Sequence, residues 1–250
     1  MLRAIQIMGW PLDAIVSVDI WFDDETPGEL PPMVAFKEEW DAKCLAWFGL
    51  PVTHLCAKLT YKEVFYRHSP KNAATMKNGY YGFPMQHGNW CTALKTAPLN
   101  KRQCEGQKIN IVQYIGIAAD EPKRIERHMP KTDIILPLVQ IGWDEGLCGL
   151  EATYMDMLSP TYNGSCRDGC WFCHNQGVGQ LRNLRKNYPD LWAKLMKIDL
   201  DSPVTFHADG HTVHDFDARF QLEDEGWVTA DEPWKWSYLK FPPAKQYTLF

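Results

Sequence analysis

The chain has 250 residues, 45% of them hydrophobic and 23% charged, with a formal net charge of −5. That length supports one large domain or a domain with an appendage, and the negative balance argues against bulk attraction to nucleic acid. The longest apolar runs, residues 109–119 and 134–141, are too short and interrupted to span a bilayer, so no transmembrane helix and no membrane partner are expected.

Leu2 to Met8 space their apolar side chains as a helix that stops at Gly9. No succession of basic, apolar and small residues marks a secretory signal there, which predicts a cytoplasmic protein. Residues 14–21 are a β-branched run that predicts a strand, Asp23, Asp24 and Glu25 follow as a loop, and Pro31 and Pro32 open a helical pattern to Phe48. A second strand is predicted over 52–57 and a short helix over 61–68. Residues 69–88, rich in Gly, Pro, Asn and Lys, predict a long loop of the kind that carries function. A buried-type strand is expected over 109–118, a helix from Asp120-Glu121-Pro122 to about His128, and another strand over 134–138. From Cys166 onward strand patterns are scarce, and helices are predicted over 179–186, 189–198 and 216–224.

Strands alternating with helices predict an α/β fold with a mostly parallel, twisted sheet flanked by helices. Ligands of such sheets bind beyond the carboxyl ends of the strands. The expected division is a nucleotide-binding-type α/β domain over 1–145 and an α-rich C-terminal region with a cysteine cluster over 146–250.

Eight cysteines in a chain without a signal peptide read as metal-binding or redox-active rather than as disulfides. The sharpest spacing is Cys166-x3-Cys170-x2-Cys173, where two thiolates separated by two residues reach one metal across a tight turn that Gly169 would ease. Cys148, on a preceding helix, is a plausible fourth ligand, and His174 a spare one. Four thiolates suit zinc or an iron–sulfur cluster. The competing reading is buried cysteines beside a Trp171-Phe172 core patch.

A second stretch, Tyr114-Ile115-Gly116-Ile117-Ala118-Ala119-Asp120-Glu121-Pro122, passes from strand to helix and would aim backbone N–H groups at an anion, with Lys123, Arg124 and Arg127 adding positive charge. A plain junction with solvated basic residues is the alternative. A third, Gly88 to Lys95, ends the long loop with Trp90, Cys91 and Lys95, groups that could line a nucleotide pocket or simply pack. His207, His211 and His214 are interrupted by Asp209-Gly210, which predicts a hairpin or surface placement over a metal set. Arg182, Arg185, Lys186, Lys194 and Lys197 read as a solvated face, with contact to an anionic ligand or nucleic acid as the other option.

Taken in order, Trp90-Cys91-Thr92 with Lys95 soon after, Tyr114-Ile115-Gly116-Ile117-Ala118-Ala119-Asp120-Glu121 with Lys123 and Arg124, and Gly169-Cys170-Trp171-Phe172-Cys173 resemble the phosphoadenosine phosphosulfate (PAPS) reductase-like proteins often carried by phages and mobile elements. The resemblance runs from residue 1 to about 224. It implies an adenine nucleotide α-hydrolase-like fold, with Cys91, Lys95, Asp120, Glu121, Lys123 and Arg124 near an adenylylated or sulfated nucleotide and Cys148, Cys170 and Cys173 near a metal. The family opens with a strand and a Ser-Gly-Gly-x-Asp-Ser phosphate loop, whereas this sequence has no Gly-Gly pair and Met1-Leu2-Arg3 resembles the helix after that loop. The expectation is therefore a chain lacking the first strand and phosphate loop, which binds adenine nucleotide weakly and is impaired in catalysis. Its role would lie in sulfur metabolism or sulfur-based nucleic-acid modification. The alternative is a non-catalytic binding or regulatory protein that contacts a protein or nucleic-acid partner.

Overall fold

A computed structural model of the chain describes residues 1–68, 79–84, 90–105, 111–129, 131–163 and 169–243. Apolar spacing carries the first residues into α1 (Leu2–Met8), which Gly9 ends at φ 63° while the Trp10 N–H donates to the Ile5 carbonyl at 3.1 Å. The β-branched Ile15, Val16 and Val18 form β1 (Ile15–Asp19). It pairs in parallel with β2 (Val52–Cys56), which sets Ser17 opposite His54 and Asp19 opposite Cys56. The crossover between them is α2 (Pro31–Phe48), opened by prolines whose missing N–H groups are no loss in a first turn. A capping box between Thr60 and Glu63 starts α3 (Tyr61–Phe65). Next come α4 (Trp90–Glu105) and a second parallel pair, β3 (Gln113–Tyr114) with β4 (Ile134–Ile135), joined through α5 (Pro122–His128). After α6 (Pro137–Gln140) and α7 (Glu145–Tyr154) the described chain is helical: α8 (Val178–Asn187), α9 (Pro189–Asp201) and α10 (Val213–Asp224). The protein is thus mixed α/β with short parallel strands.

Three expectations change. Residues 90–95, read as the end of a loop, open the helix α4, where Leu94 is buried and the Trp90 ring packs on Tyr61 at 4.8 Å; Pro98 sits inside that helix. Of the strand expected over 109–118, only two of the described residues, Gln113 and Tyr114, are strand, and Ile111 and Val112 are exposed at 41% and 50%, too wet for a buried strand. The strand over 134–138 is cut short where Pro137 opens α6. Most of the loop at 69–88 lies outside the described residues.

The chain divides into two compact units that it visits more than once. The first comprises Met1–Asp19, Pro31–Ala57 and Lys95–Asn163 and holds both parallel pairs. Its buried side chains include Ile5, Ile15, Ile117, Leu136 and Leu138. The second comprises Ile20–Leu30, Lys58–Leu94 and Gly164–Phe250. It is built on aromatic packing: Phe22, Tyr61, Phe65, Trp171, Phe172, Phe206, Phe216 and Phe220 are all fully buried. Among the described residues no helix is long and apolar enough to cross a membrane.

The basic run on α8 and α9 is not simply a solvated face. Arg182 grips Glu223 of α10 with Nε at 2.6 Å and Nη2 at 3.0 Å, and Arg219 Nε donates to the same carboxylate at 2.9 Å. Arg185 donates to Asp217 at 2.8 Å and Asp224 at 2.6 Å, while Lys194 donates to the Thr26 hydroxyl. Charge that the sequence offers to an outside anion is therefore largely spent inside the unit, leaving Lys186 and Lys197 exposed.

Candidate functional site

The second unit carries the cysteine site. Residues 20–28 form a tight excursion in which the Phe22 N–H donates to the Thr26 carbonyl at 2.8 Å and the Gly28 N–H to the Ile20 carbonyl at 2.7 Å. The Asp23 carboxylate accepts from the Thr26 N–H at 2.8 Å and shapes the turn. This excursion receives the Cys170–Cys173 segment: the Trp171 N–H donates to the Gly28 carbonyl at 2.9 Å and its indole Nε1 to the Pro27 carbonyl at 2.8 Å. The Cys-x-x-Cys backbone turns as its spacing predicts, with the Cys173 N–H on the Cys170 carbonyl at 3.0 Å and the Gln176 side-chain amide on that same carbonyl at 2.9 Å. Gly28, not Gly169, is the glycine this packing requires. A Cβ on Gly28 would sit 2.7 Å from the Ile20 carbonyl oxygen and 3.3 Å from Cys170 Sγ, whereas one on Gly169 would meet nothing.

Tyr61 is the residue that sequence reasoning missed. Its ring lies 4.1 Å from Phe172 and 4.8 Å from Trp90, the neighbours in sequence of Cys170, Cys173 and Cys91. Its hydroxyl is buried and has no hydrogen-bond partner among the described residues. Burial, then the charges of Cys91, Cys173 and Cys170, hold its phenol well above the ordinary range, so it remains an O–H donor at neutral pH. Cys91, Cys170 and Cys173 thus share one aromatic surrounding with an orphaned donor. A buried donor without a partner calls for a reason, and an absent ligand is one. Soft thiols beside an orphaned hydroxyl fit the chemistry of a thiolate-bound metal centre. Among the described residues no group of three or more His, Cys, Asp or Glu side chains, Cys91, Cys170 and Cys173 included, is arranged to hold an ion. Cys166 lies outside them.

His174 is half-buried, and burial followed by the nearby His207 depresses its pKa, keeping it neutral. His207 and His211 bracket the expected turn, with the His207 N–H on the His211 carbonyl at 2.9 Å; His211 stacks on Trp236 at 3.5 Å and His214 donates to Asp199 at 2.6 Å.

The remaining predicted residues belong to the first unit. Cys148 is on α7; burial raises its thiol pKa, opposed by the amino group of Met1. Lys95 is exposed on α4, and Lys123, Arg124 and Arg127 are exposed on α5. At the strand-to-helix junction the Ala118 N–H donates to the Glu121 carboxylate at 3.1 Å and the Ala119 N–H to the Trp143 carbonyl at 2.8 Å. Glu121 also pairs with Arg124, which holds its carboxyl below the usual range against the effect of burial. Asp120 accepts from the Glu145 N–H at 3.2 Å rather than capping α5, whose N-cap is Glu121. The junction is thus closed on itself at two of its amides.

No family model matches the chain, and no solved structure matches it. An uncharacterized protein of Methanocaldococcus jannaschii is 23% identical over 172 residues, which cover 64% of this chain and 32% of that protein. The chain therefore spans about a third of the length of that relative.

Proposed function

We propose that the chain is a PAPS reductase-like protein of the adenine nucleotide α-hydrolase type, which binds an adenylylated or sulfated nucleotide and holds a thiolate-ligated iron–sulfur or zinc centre. The observation that carries this reading is the Cys-x-x-Cys turn of Cys170 and Cys173, which sits among the rings of Tyr61, Trp90, Trp171 and Phe172. The ligand set in this reading is Cys170 and Cys173, with Cys166 as the further thiolate. When bound, such a centre supplies electrons or fixes the segment that carries it. The chain's own part is to exclude water with Phe22, Tyr61, Trp90, Trp171 and Phe172. The two parallel pairs, each crossed by a helix, support the finer fold reading of a parallel sheet flanked by helices.

A second reading, a non-catalytic binding protein that contacts a protein or nucleic acid, is favoured by the junction after β3, where Glu121 and Trp143 occupy amides that would otherwise meet a phosphate.

Metal analysis of the chain purified without oxygen tests the leading reading. Stoichiometric zinc, or iron with broad visible absorption, is expected, and Cys170→Ser and Cys173→Ser should each lower the content. Cys166→Ser then tests the further ligand. A folded, colourless, metal-free chain overturns the metal centre. Calorimetry with phosphoadenosine compounds and ATP reads the nucleotide separately.

A further inference from the structure

Away from the thiol site, the first unit holds a set of four charged groups, His54 with Asp19, Asp41 and Lys37. The parallel register puts His54 of β2 opposite Ser17 of β1, so Asp19, two residues on, shares its face. On α2, Lys37 and Asp41 are one turn apart and also share a face. His54 Nδ1 lies 2.9 Å from Asp19 Oδ2 and Nε2 lies 2.7 Å from Asp41 Oδ2, while Lys37 pairs with the other oxygen of Asp19. The second oxygen of Asp41 is buried without a partner.

Both contacts are of hydrogen-bond length, and ionised carboxylates only accept. A neutral imidazole has one N–H and can satisfy one of them; the other nitrogen would turn a lone pair toward a carboxylate oxygen. Lys37 pairs with Asp19, and among the described residues Asp41 has no other cation beside it to replace His54. With the ring doubly protonated, two carboxylates face two cations and the set is neutral. We infer that His54 is an imidazolium latch that fastens α2 to the β1–β2 pair and lets go of one carboxylate when it loses a proton.

The groups that bear on the latch are Asp19 from β1, Lys37 and Asp41 from α2, Cys44 beside Asp41, and Cys56 further along the same strand. Burial and the charge of Asp41 push the Cys44 thiol up to about 11, so it stays neutral while His54 titrates. Burial works against the His54 charge, but hydrogen bonds to Asp41 and Asp19 and the charges of both outweigh it, and its pKa stands above the ordinary 6.5. A raised folded pKa contributes stability that is fully present below 6.5 and is lost as pH rises through the folded value.

Nitrogen-15 spectra of the histidine rings in the full chain, titrated from acid to mild alkali, test this. The signal missing from His54→Gln is expected to show two protonated ring nitrogens at a pH where free histidine is neutral, and Asp41→Asn should move its midpoint down. Amide exchange in Pro31–Phe48 and Val52–Cys56, corrected for the intrinsic rate, should accelerate on the alkaline side in the wild type and not in His54→Gln. A single-N–H tautomer at neutral pH, or a midpoint that Asp41→Asn leaves in place, overturns the latch. Should His54→Gln not fold, the signal that Asp41→Asn displaces identifies the ring instead, and the wild-type titration alone decides.

Discussion

Gly28 and Tyr61 together make the thiol site, one by what it lacks and the other by what it cannot satisfy. Gly28 allows the Ile20 carbonyl and Cys170 to approach its α-carbon from two sides. A methyl group at 2.7 Å from a backbone oxygen forces the 20–28 excursion to shift and strains its 2.7 Å hydrogen bond. Gly28→Ala should therefore cost roughly 1–3 kcal/mol, the usual toll of overpacking. Gly149, inside α7 with open space where a Cβ would go, supplies the contrast: Gly149→Ala should be stabilising by about 0.5–1 kcal/mol. Denaturant unfolding of the two variants checks the pair, and equal midpoints would mean that the approach at Gly28 is not tight. Neither Gly28 nor Tyr61 is legible in the sequence. The two cysteines announce themselves by their spacing, whereas a glycine in an acidic loop and a tyrosine opening a short helix acquire meaning only when residues 20–28, 61 and 170–173 meet in space.

Elements were legible where local chemistry sets their ends. Gly9 stops α1 and the prolines open α2, each a signal contained within a few residues of sequence, whereas the Thr212 capping box, not read from the sequence, starts α10 three residues before the expected 216. Strand lengths were not, because β3 and β4 carry apolar runs whose ends are decided by what covers them. The partners of the α8 arginines were also hidden, since Glu223 stands 41 residues from Arg182. That distant carboxylate is the strongest electrostatic feature of the helical part. Its side chain is 8% exposed, Arg219 is 9% exposed, and the Arg219 guanidinium lies over the Trp234 ring at 4.7 Å. Glu223→Ala strands a buried guanidinium and should destabilise by about 3–5 kcal/mol. Asp224→Ala breaks a pair whose carboxylate is 65% exposed, and should cost less than about 1 kcal/mol. Urea titrations of both variants give the comparison; similar losses would place Glu223 in solvent.

At the scale of the whole molecule, the two units respond to opposite ends of the pH range. In the second unit, burial opposes the charge of Glu223 and Asp23, but hydrogen bonds outweigh it: those from Arg182 and Arg219 on the first, and those from Thr26, Glu25 and Lys194 on the second. Both carboxyls are held below their ordinary values of 4.5 and 3.8. A depressed carboxyl contributes stability that is present above its unfolded value and lost as pH falls through the folded one. The first unit has Glu121 on that side, but its alkaline side is set by His54, whose contribution fades as pH climbs. Such a chain should not lose its structure as one block, and a single midpoint should describe neither limb. Amide exchange followed by peptide, with intrinsic rates removed, is expected to show Val178–Asn187 and Val213–Asp224 opening first in acid, and Ile15–Asp19, Pro31–Phe48 and Val52–Cys56 opening first in mild alkali. Glu223→Gln should raise the pH of the acid limb in the second unit and leave the alkaline limb in place. If both limbs open the same peptides, the electrostatic stabilisation does not divide between the units, and the charged clusters at Glu223 and His54 are not what sets the pH range of the fold.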